Sequence, residues 1–528
     1  MKERDVIVIG AGGAGLTAAL AAREKGAQVL LLSKTGAGNA NCTALSGGGF
    51  SLAAGRVTPE DHFRRVREIG RFVNEDELVM VLADRGEESL LRLKTLGVTI
   101  SIHSGGHASV RDTAPSEIAG GAGFTRELAA LARGMGVKII ENAVATRLLL
   151  EDGGAAGVEW IDWKTGRGYR KKASSVILAS GGGGRIFPRT DNPARMTGDG
   201  YFLALDAGID LVDMEYVQFY PLGWDQKGYP LWMVGLDIID FIPLTDEHGR
   251  EYVLEALRSW GIKNGREGNY VGRDKTAILI DRHEREGGTT LLHLEKLREE
   301  DLHDPYITMS LMIDLPPGKR TAPVKVSPIQ HYFSGGIPID GEGRTALPGL
   351  YACGEVTGGV DGASRMGGNA LTNIVTFGFR AGSVAAAEPF SGRGGSEMVS
   401  FDPAFPDFSR EGGEAPSEVR RALGEAVARG LGPCRTGEGI ARCLQEIAGA
   451  EERGTLLKVN TPMDLLHALE MKGLFATAKS VAAAALLREE SRGVQYREDF
   501  PGERPEWKRQ ILCRKEGNAV TARPGKKL

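Results

Sequence analysis

The sequence predicts an α/β fold, and three apolar runs that each lead into glycines are the observations behind this prediction. The first run is followed by Gly10-Ala-Gly-Gly-Ala-Gly15, and the others lie in Ser175–Gly184 and Thr345–Glu355. β-Branched runs that end in glycine are typical of buried strands followed by tight turns. Glycine, at 74 of 528 residues, is about twice its usual share of about 7%. The length suits about three domains.

The first segment reads as strand, turn, helix and strand. Asp5–Ile9 is β-branched, the run from Leu16 to Lys25 is rich in alanine, and Gln28–Leu32 is again apolar. The turn carries G-x-G-x-x-G, in which Gly10 makes the turn, Gly12 lets a pyrophosphate approach, and Gly15 lets helix and strand pack closely. The helix N-terminus then faces the phosphates. This predicts a Rossmann-like dinucleotide-binding unit.

The choice of cofactor follows from what surrounds this unit. The generic fingerprint expects an acid about 20 residues on, whereas the second strand ends in Ser33-Lys34. The strand that runs into Gly181–Gly184 and the glycine-flanked Glu355 suggest that the chain returns twice to a large cofactor, with Glu355 at a ribityl hydroxyl. Three separated segments favour FAD over NAD, and a single G-x-G-x-x-G indicates no second nucleotide site.

Composition excludes several other classes of protein. Lys plus Arg (65) nearly balances Asp plus Glu (69), which argues against a nucleic-acid partner. No apolar run approaches the roughly 18 residues of a membrane span, and the first apolar segment is too short for a signal peptide. Five scattered cysteines without C-x-x-C argue against disulfides, zinc or an iron–sulfur cluster in this chain. We expect a cytoplasmic protein, or one attached to the inner membrane through partner subunits.

Composition shifts along the chain predict its domains. A glycine-, serine- and proline-rich stretch separates an α/β part from alanine- and leucine-rich runs with helical spacing. The basic C-terminal end is expected to be a solvated tail or a docking surface. The composition predicts an inserted domain within residues 201–330, a linker (391–418), a helical domain (419–498) and the tail (499–528).

Five motifs occur in the order of a known family. They are VIGAGGAGLTAALAAREKGAQVLLLSKT, TGDG (Thr197–Gly200), HYFSGGIPID (His331–Asp340), GLYACGEVTGGVDGASRMGGNAL (Gly349–Leu371) and LLREESRGVQYREDFP (Leu486–Pro501). In these motifs the chain resembles the flavoprotein subunits of succinate dehydrogenase and fumarate reductase, with L-aspartate oxidases and soluble fumarate reductases as relatives. The resemblance implies a discontinuous, Rossmann-like FAD-binding domain (1–212 and 331–390), an inserted α+β capping domain for substrate (213–330) and a C-terminal helical domain.

The resemblance also implies which residues bind FAD. A covalently linked flavin requires a histidine at the position that Asn41 occupies here, so the expected FAD is non-covalent. No metal site is expected. The implied FAD contacts are Gly10, Gly12, Ala14, Gly15, Ser33, Lys34, Ser46, Gly47, Gly48, Val144, Gly181, Asp199, Glu355, Ala370 and Leu371.

For the substrate, the resemblance implies His331 and Arg365 as carboxylate ligands, and arginine offers a planar fork that suits a carboxylate. The family's histidine-proline-threonine-glycine clamp reads Tyr220-Pro-Leu-Gly223 here. Tyr220 still offers one hydrogen bond, but Leu222 cannot replace a hydroxyl. The expected position of the proton-donating arginine falls at or near Ile238, in a stretch with carboxylates and no arginine. We therefore expect slow fumarate turnover and a different unsaturated acid or thioester as the better substrate.

The implied activity is hydride transfer between flavin N5 and an unsaturated or saturated carboxylic acid. The implied partner is an iron–sulfur protein that exchanges electrons with the flavin. An L-aspartate oxidase-like amino-acid oxidase, an electron-relay flavoprotein without fumarate activity, and a scaffold without enzymatic activity remain open as alternatives.

Overall fold

The computed structural model describes residues 5–110, 120–311, 313, 315–388, 397–405 and 407–528. Within these ranges the helices are α1 (Gly13–Glu24), α2 (Cys42–Leu45), α3 (Pro59–Ile69), α4 (Asp76–Thr95), α5 (Gly121–Gly134), α6 (Asp199–Asp206), α7 (Tyr252–Ser259), α8 (Gly265–Val271), α9 (Arg273–Arg285), α10 (Pro305–Leu311), α11 (Asn369–Ala387), α12 (Pro416–Gly430), α13 (Gly437–Arg453) and α14 (Pro462–Leu487).

The strands are mostly short and belong to several separate sheets. They are β1 (Asp5–Ile9), β2 (Gln28–Leu32), β3 (Gly49–Gly55), β4 (Ser101–His103), β5 (Gly105–Ser109), β6 (Lys138–Ile140), β7 (Ala143–Glu151), β8 (Gly154–Asp162), β9 (Gly168–Lys172), β10 (Ser175–Leu178), β11 (Leu211–Val212), β12 (Val217–Trp224), β13 (Leu244–Thr245), β14 (Leu291–Leu292), β15 (Val324–Phe333), β16 (Leu350–Ala352), β17 (Val399–Phe401), β18 (Phe408–Ser409), β19 (Cys434–Arg435), β20 (Leu457–Lys458), β21 (Tyr496–Arg497), β22 (Arg509–Glu516) and β23 (Ala519–Lys527).

A five-stranded parallel sheet confirms the predicted α/β fold. Its strand order is β16-β10-β1-β2-β6, so the three apolar runs that precede glycines lie side by side. Strand β1 is buried along most of its length, as an apolar strand covered on both faces by helices must be. The three glycine segments therefore meet at the carboxyl edge of one sheet, where open α/β folds bind ligands.

The segment predicted as the capping domain mixes helices and strands. Strands β12 and β15 pair antiparallel and continue through β14 to β13, with helices α7 to α10 around this sheet. It has an apolar core of its own, in which Leu222 and Ile238 are both fully buried. Antiparallel strands under short helices give the α+β character that the resemblance implied.

The predicted helical domain contains α12, α13 and α14, which pack on one another. Helix α14 starts with a capping box, in which Thr461 accepts from the amide of Asp464 and Asp464 accepts from that of Thr461. The linker prediction is partly wrong, because β17 pairs with β9 and α12 already begins at Pro416. Its residues 391–396 and 406, and residues 389–390 of the FAD-binding range, lie outside the described residues.

The prediction of a solvated tail for residues 499–528 is wrong. Strands β22 and β23 form an antiparallel hairpin, and β22 also pairs with β11 of the flavin domain. The buried side chains of Ile511 and Cys513 attach this hairpin to the main core. Of the described helices, none has both the length and the apolar character that crossing a bilayer requires.

Candidate active site

The glycines of the turn after β1 serve two purposes, which are close packing within the fold and room for a ligand. A Cβ on Gly10, whose φ is 112°, would lie 2.2 Å from the carbonyl oxygen of Ala179, and a Cβ on Gly15 would lie 1.9 Å from that of Gly10. Both positions therefore need glycine for the fold itself. A Cβ on Gly12 would instead meet only the Asn41 side chain at 3.6 Å, an ordinary contact. Glycine at this position would allow the close approach of a pyrophosphate.

Helix α1 begins at this turn with its N-terminus available. It has no side-chain cap and no acidic residue in its first turn, so its partial positive charge is free to meet phosphate. Ala14 lies in this first turn, and a Cβ on Gly354 would come within 2.7 Å of the Ala14 side chain. The first and third glycine segments therefore touch, as a cofactor bound across both would require.

Glu355 lies beside the second glycine segment. One of its carboxylate oxygens accepts the amide of Phe333 at 3.1 Å, and a Cβ on Gly182 would lie 2.5 Å from the same oxygen. Neighbouring Gly181 has a φ of 74°. Burial raises the pKa of Glu355 to about 7. A carboxyl group with such a pKa can accept or donate a hydrogen bond to a ribityl hydroxyl near neutral pH.

Lys34 and Asp199 form an ion pair with each other. The Lys34 Nζ lies 2.8 Å from an Asp199 oxygen and donates to Thr197 Oγ1 at 2.7 Å. It also lies 3.1 Å from Glu470, a fully buried residue of α14. Burial by itself would lower the pKa of Lys34, but Asp199 and Glu470 outweigh it and raise the pKa. The helical domain thus helps to hold the residues predicted to bind FAD.

The remaining predicted FAD residues surround the same helix N-terminus. The Ser33 carbonyl accepts from the amide of Ala143 at 2.8 Å, which brings Val144 to the end of β2. Ser46 donates to the Thr43 carbonyl at 2.7 Å ahead of the Gly47–Gly48 turn. Ala370 and Leu371 lie in the first turn of α11, which packs along α1. The structure brings these residues together, and their contacts with FAD stay predictions.

Asn41 has no group that could form a covalent link to a flavin. Its side-chain oxygen accepts the amide of Ala44 at 2.9 Å and so caps the short helix α2. Its amide nitrogen donates to the Asn39 carbonyl at 3.3 Å. The side chain is engaged with backbone on both sides.

Arg365 is a buried guanidinium whose only polar side-chain contact among the described residues is to backbone. Its Nη1 donates to the Met366 carbonyl at 3.2 Å, its Nε has no partner there, and the group lies 4.4 Å from the centre of the Tyr332 ring. Asp361 bonds Tyr332 at 3.1 Å instead of pairing with the arginine. Burial raises the pKa of Asp361 to about 6, although Arg365 opposes this. Arg365 is therefore free to bind a carboxylate ligand.

His331 is held in one orientation. Its Nδ1 lies 2.7 Å from a carboxylate oxygen of buried Asp191, and its ring makes an edge contact with Tyr220 at 5.9 Å between centroids. Asp191 thereby fixes the tautomer, with Nδ1–H towards the carboxylate and Nε2 on the opposite side of the ring. Sequence reasoning identified the histidine but not the aspartate.

The phenol of Tyr220 is committed to the protein. It donates to the side-chain oxygen of Asn269 on α8 and accepts the amide of Leu236 at 3.2 Å. Burial raises its pKa to about 12. Leu222 lies in the core of the capping segment, so it contributes no group to this site. The structure thus leaves little at Tyr220-Pro-Leu-Gly223 that could clamp a second charged end of a substrate.

Arg273, which sequence reasoning missed, is the first residue of α9 and is also buried. Its Nη2 donates to the carbonyl of Arg365 at 2.8 Å, and its guanidinium lies 6.0 Å from the Tyr220 ring centre. Burial lowers the pKa of Arg273, and the nearby Arg365 lowers it further. The structure therefore places a second buried guanidinium beside Arg365.

The stretch around Ile238, which the resemblance gave as the position of the proton-donating arginine, serves the capping segment instead. Ile238 is buried in the apolar core there. The Asp240 carboxylate accepts the amides of Gly265 and Arg266 at 2.6 and 3.0 Å, and Asp237 accepts the hydroxyl of Ser310 at 2.7 Å. Both carboxylates have protein partners. They are not a pair of free charges facing a substrate.

Together these features define a FAD-dependent oxidoreductase that acts on CH–CH bonds. The family model for the FAD binding domain matches residues 5–371, and that for the fumarate reductase flavoprotein C-terminal part matches residues 420–524. The chain belongs to the family of succinate dehydrogenase and fumarate reductase flavoproteins, and FAD is its cofactor.

Similar proteins span nearly the whole chain. A CoM/CoB fumarate reductase polypeptide of Methanothermobacter marburgensis is 34% identical, over 98% of this chain and 98% of that protein. L-Aspartate oxidase of Streptomyces coelicolor is 31% identical, over 97% of this chain and 91% of its own length. Among solved structures, an Escherichia coli quinol fumarate reductase variant superposes with a TM-score of 0.84 at 25% identity, covering 100% of this chain and 97% of that one.

We expect one FAD per chain, bound without a covalent bond, because Asn41 offers no nucleophile and its amide is engaged with backbone. Acid precipitation of the purified holoprotein should therefore leave the yellow colour in the supernatant. Flavin fluorescence that stays with the washed pellet, or with the protein band on a denaturing gel, would contradict this expectation.

Proposed function

We propose that the protein transfers a hydride between FAD and an unsaturated or saturated carboxylic acid at the site formed by Arg365, Arg273 and His331. The observation that supports this most is the pair of buried guanidiniums. The guanidinium of Arg273 donates a hydrogen bond to the backbone carbonyl of Arg365. The carboxylate paired with Arg273 is that of Asp274, and it lies 4.0 Å from the guanidinium. Two adjacent buried cations with so little neutralisation are costly. A bound substrate carboxylate removes that cost.

In this mechanism Arg365 binds the substrate carboxylate through its planar fork. Asp191 orients the His331 ring. Its Nε2 atom then donates a hydrogen bond to the substrate when it carries a proton, and accepts one when it does not. Bound FAD supplies hydride transfer at its N5 atom. Arg273 donates the proton to the carbon that does not receive hydride, because burial makes its guanidinium a stronger acid than it is in water. Arg365 and Arg273 are buried, which strengthens their interactions with a bound carboxylate.

The substrate's second end should carry less charge than a second carboxylate. The Tyr220 hydroxyl is already hydrogen-bonded to Asn269 and to the amide of Leu236, and Leu222 is buried in the core of the capping segment. A second carboxylate would therefore find few donors in a water-poor site. We propose an enoic acid whose far end is an ester, amide or thioester as the better substrate.

The test is an anaerobic assay with reduced viologen dye and three acceptors, namely fumarate, its monomethyl ester and crotonate. We expect the monomethyl ester to have the highest kcat/KM, and fumarate turnover to stay below about 10 s⁻¹, the median for enzymes. Fumarate turnover above the ester's would show that a second carboxylate site exists. No turnover of any enoic acid would overturn the proposed substrate class.

We further propose that electrons reach or leave the flavin through an iron–sulfur partner subunit. Several relatives carry names that describe subunits. The described residues contain no group of three or more metal-ligating side chains, and every cysteine among them is free. This part of the chain therefore offers no cluster site of its own to relay electrons. Co-expression with the product of a neighbouring ferredoxin-like reading frame, followed by co-purification, tests this.

The likeness to an L-aspartate oxidase supports a second candidate. The carboxylate site formed by Arg365 and Arg273 would bind an amino acid's carboxylate equally well. Hydrogen peroxide formation from L-aspartate in air, at rates that match viologen-dependent turnover, would favour this candidate over the first.

A further inference from the structure

The segment that carries Arg365 is held by its backbone at Ala363, two residues earlier. The Ala363 amide donates to the Gly70 carbonyl at 2.9 Å, and its carbonyl accepts the amide of Val494 at 2.9 Å. Ala363 itself is completely buried. This short segment is therefore hydrogen-bonded to two distant parts of the chain, which are the turn after α3 and the segment after α14.

The turn on the first side has an unfavourable backbone. Arg71 and Phe72 follow Gly70 with φ of 56° and 57°, in the left-handed region that non-glycine residues seldom adopt. Two such residues in succession persist only where the surroundings hold them. The side chain of Arg492 stabilises this backbone conformation, because its Nη1 donates a hydrogen bond to the Arg71 carbonyl at 3.2 Å.

Arg492 also fixes the second side. Its Nε and Nη2 bond both oxygens of Glu490 at 2.7 and 2.9 Å, and its Nη1 reaches Glu503 at 3.2 Å. Gly493 and Val494 follow it directly. A Cβ on Gly493 would lie 2.1 Å from the Ala363 carbonyl oxygen, so this backbone presses against the Arg365 segment. The buried guanidinium of Arg492 thus contacts both parts of the chain that hydrogen-bond to Ala363.

We propose that Arg492 is a positioning residue for Arg365, through which the C-terminal domain sets the affinity for the substrate carboxylate. Arg492 touches neither Arg365 nor, on the described contacts, any residue predicted to bind FAD. It acts by holding the Gly70–Phe72 turn and the Gly493–Val494 segment against Ala363. This rests on the proposed function, since it gives Arg365 the role of carboxylate ligand.

The test compares Arg492→Lys and Arg492→Ala with Arg442→Ala in the FAD-loaded protein. Arg442 is an exposed arginine of α13 that pairs with Glu438, so its loss removes a guanidinium from the same domain without touching Ala363. The first readout is amide hydrogen exchange in peptides covering residues 361–366. The second is the Kd for succinate and for monomethyl succinate, followed through the flavin absorbance.

We expect faster exchange at 361–366 in both Arg492 variants and an increase of about tenfold or more in Kd, since a tenfold change needs only about 1.4 kcal/mol. FAD content should stay at one per chain. The lysine variant should be less affected than the alanine variant, because an ammonium still reaches one acceptor but loses the fork. Arg442→Ala should leave both readouts unchanged.

Gly493→Ala provides a second route if Arg492 variants fold poorly, with Gly502→Ala as its control because a Cβ there meets open space. Unchanged exchange at 361–366 in the Arg492 and Gly493 variants would overturn the proposal, as would faster exchange with unchanged Kd. If the wild-type protein binds neither acid, the proposed carboxylate role of Arg365 fails. The exchange data then decide alone whether Arg492 positions the segment.

Discussion

Arg365→Lys is expected to keep its FAD and lose about 10²- to 10³-fold in kcat/KM on the best enoic acid. Removing one partner of a buried, charge-assisted contact typically costs about 2–5 kcal/mol. Lysine keeps the charge but replaces a planar two-pronged donor with a point charge. Within the described residues, the Arg365 side chain makes its one polar contact with a backbone carbonyl, so little else in the fold depends on it. Steady-state kinetics with reduced viologen, together with the flavin-to-protein ratio, measure the effect.

Arg344→Lys is the matched control. Arg344 is partly exposed and pairs with Glu388 and Asp340, away from the candidate site, and exposed ion pairs contribute about 0–1 kcal/mol. Its replacement should change kcat/KM less than about twofold. If Arg365→Lys retains near-normal kcat/KM while Arg344→Lys does too, Arg365 does not bind the substrate. A loss of FAD in Arg365→Lys would instead indicate a role in the fold of the flavin site.

The parts of the fold that could be predicted from the sequence are those with a local signal. Gly10 and Gly15 are needed by contacts of one strand-turn-helix unit, so their spacing alone indicated the unit. Glu355 was predictable because it closely follows a short strand and a glycine. The C-terminal hairpin was not, because β23 is largely exposed and rich in charge, and only a few residues of β22 such as Ile511 are buried.

The candidate site was harder to predict because its residues come together only in the folded chain. Arg273 begins a helix whose sequence, Arg273–Arg285, is dominated by charged residues and looks like an exposed surface helix. Only the bond from its guanidinium to the Arg365 carbonyl reveals its place. Counting along the chain from a neighbouring motif led to Ile238, a core residue of the capping segment. A search for every arginine that the capping segment could bury would have included Arg273.

Arg273→Gln is expected to lower kcat about 10²- to 10⁴-fold, which is the usual contribution of a placed proton donor. Glutamine can still donate to the Arg365 carbonyl, so the hydrogen bond that joins the two residues can survive. It cannot release a proton to carbon. Substrate Kd should therefore rise far less than kcat falls. Arg273→Lys should keep part of the rate, because an ammonium can also donate a proton, and should lose it as pH is raised through the lysine pKa.

The control for this variant is Arg250→Gln, which removes an exposed arginine of the capping segment that pairs with Glu255. Its kcat and its substrate Kd should equal those of the wild-type protein. Single-turnover reoxidation of photoreduced enzyme by the enoic acid, run in H₂O and in D₂O, separates the proton step from binding. If Arg273→Gln keeps wild-type kcat and solvent isotope effect, the proton comes from elsewhere. The guanidinium pair would then serve binding alone.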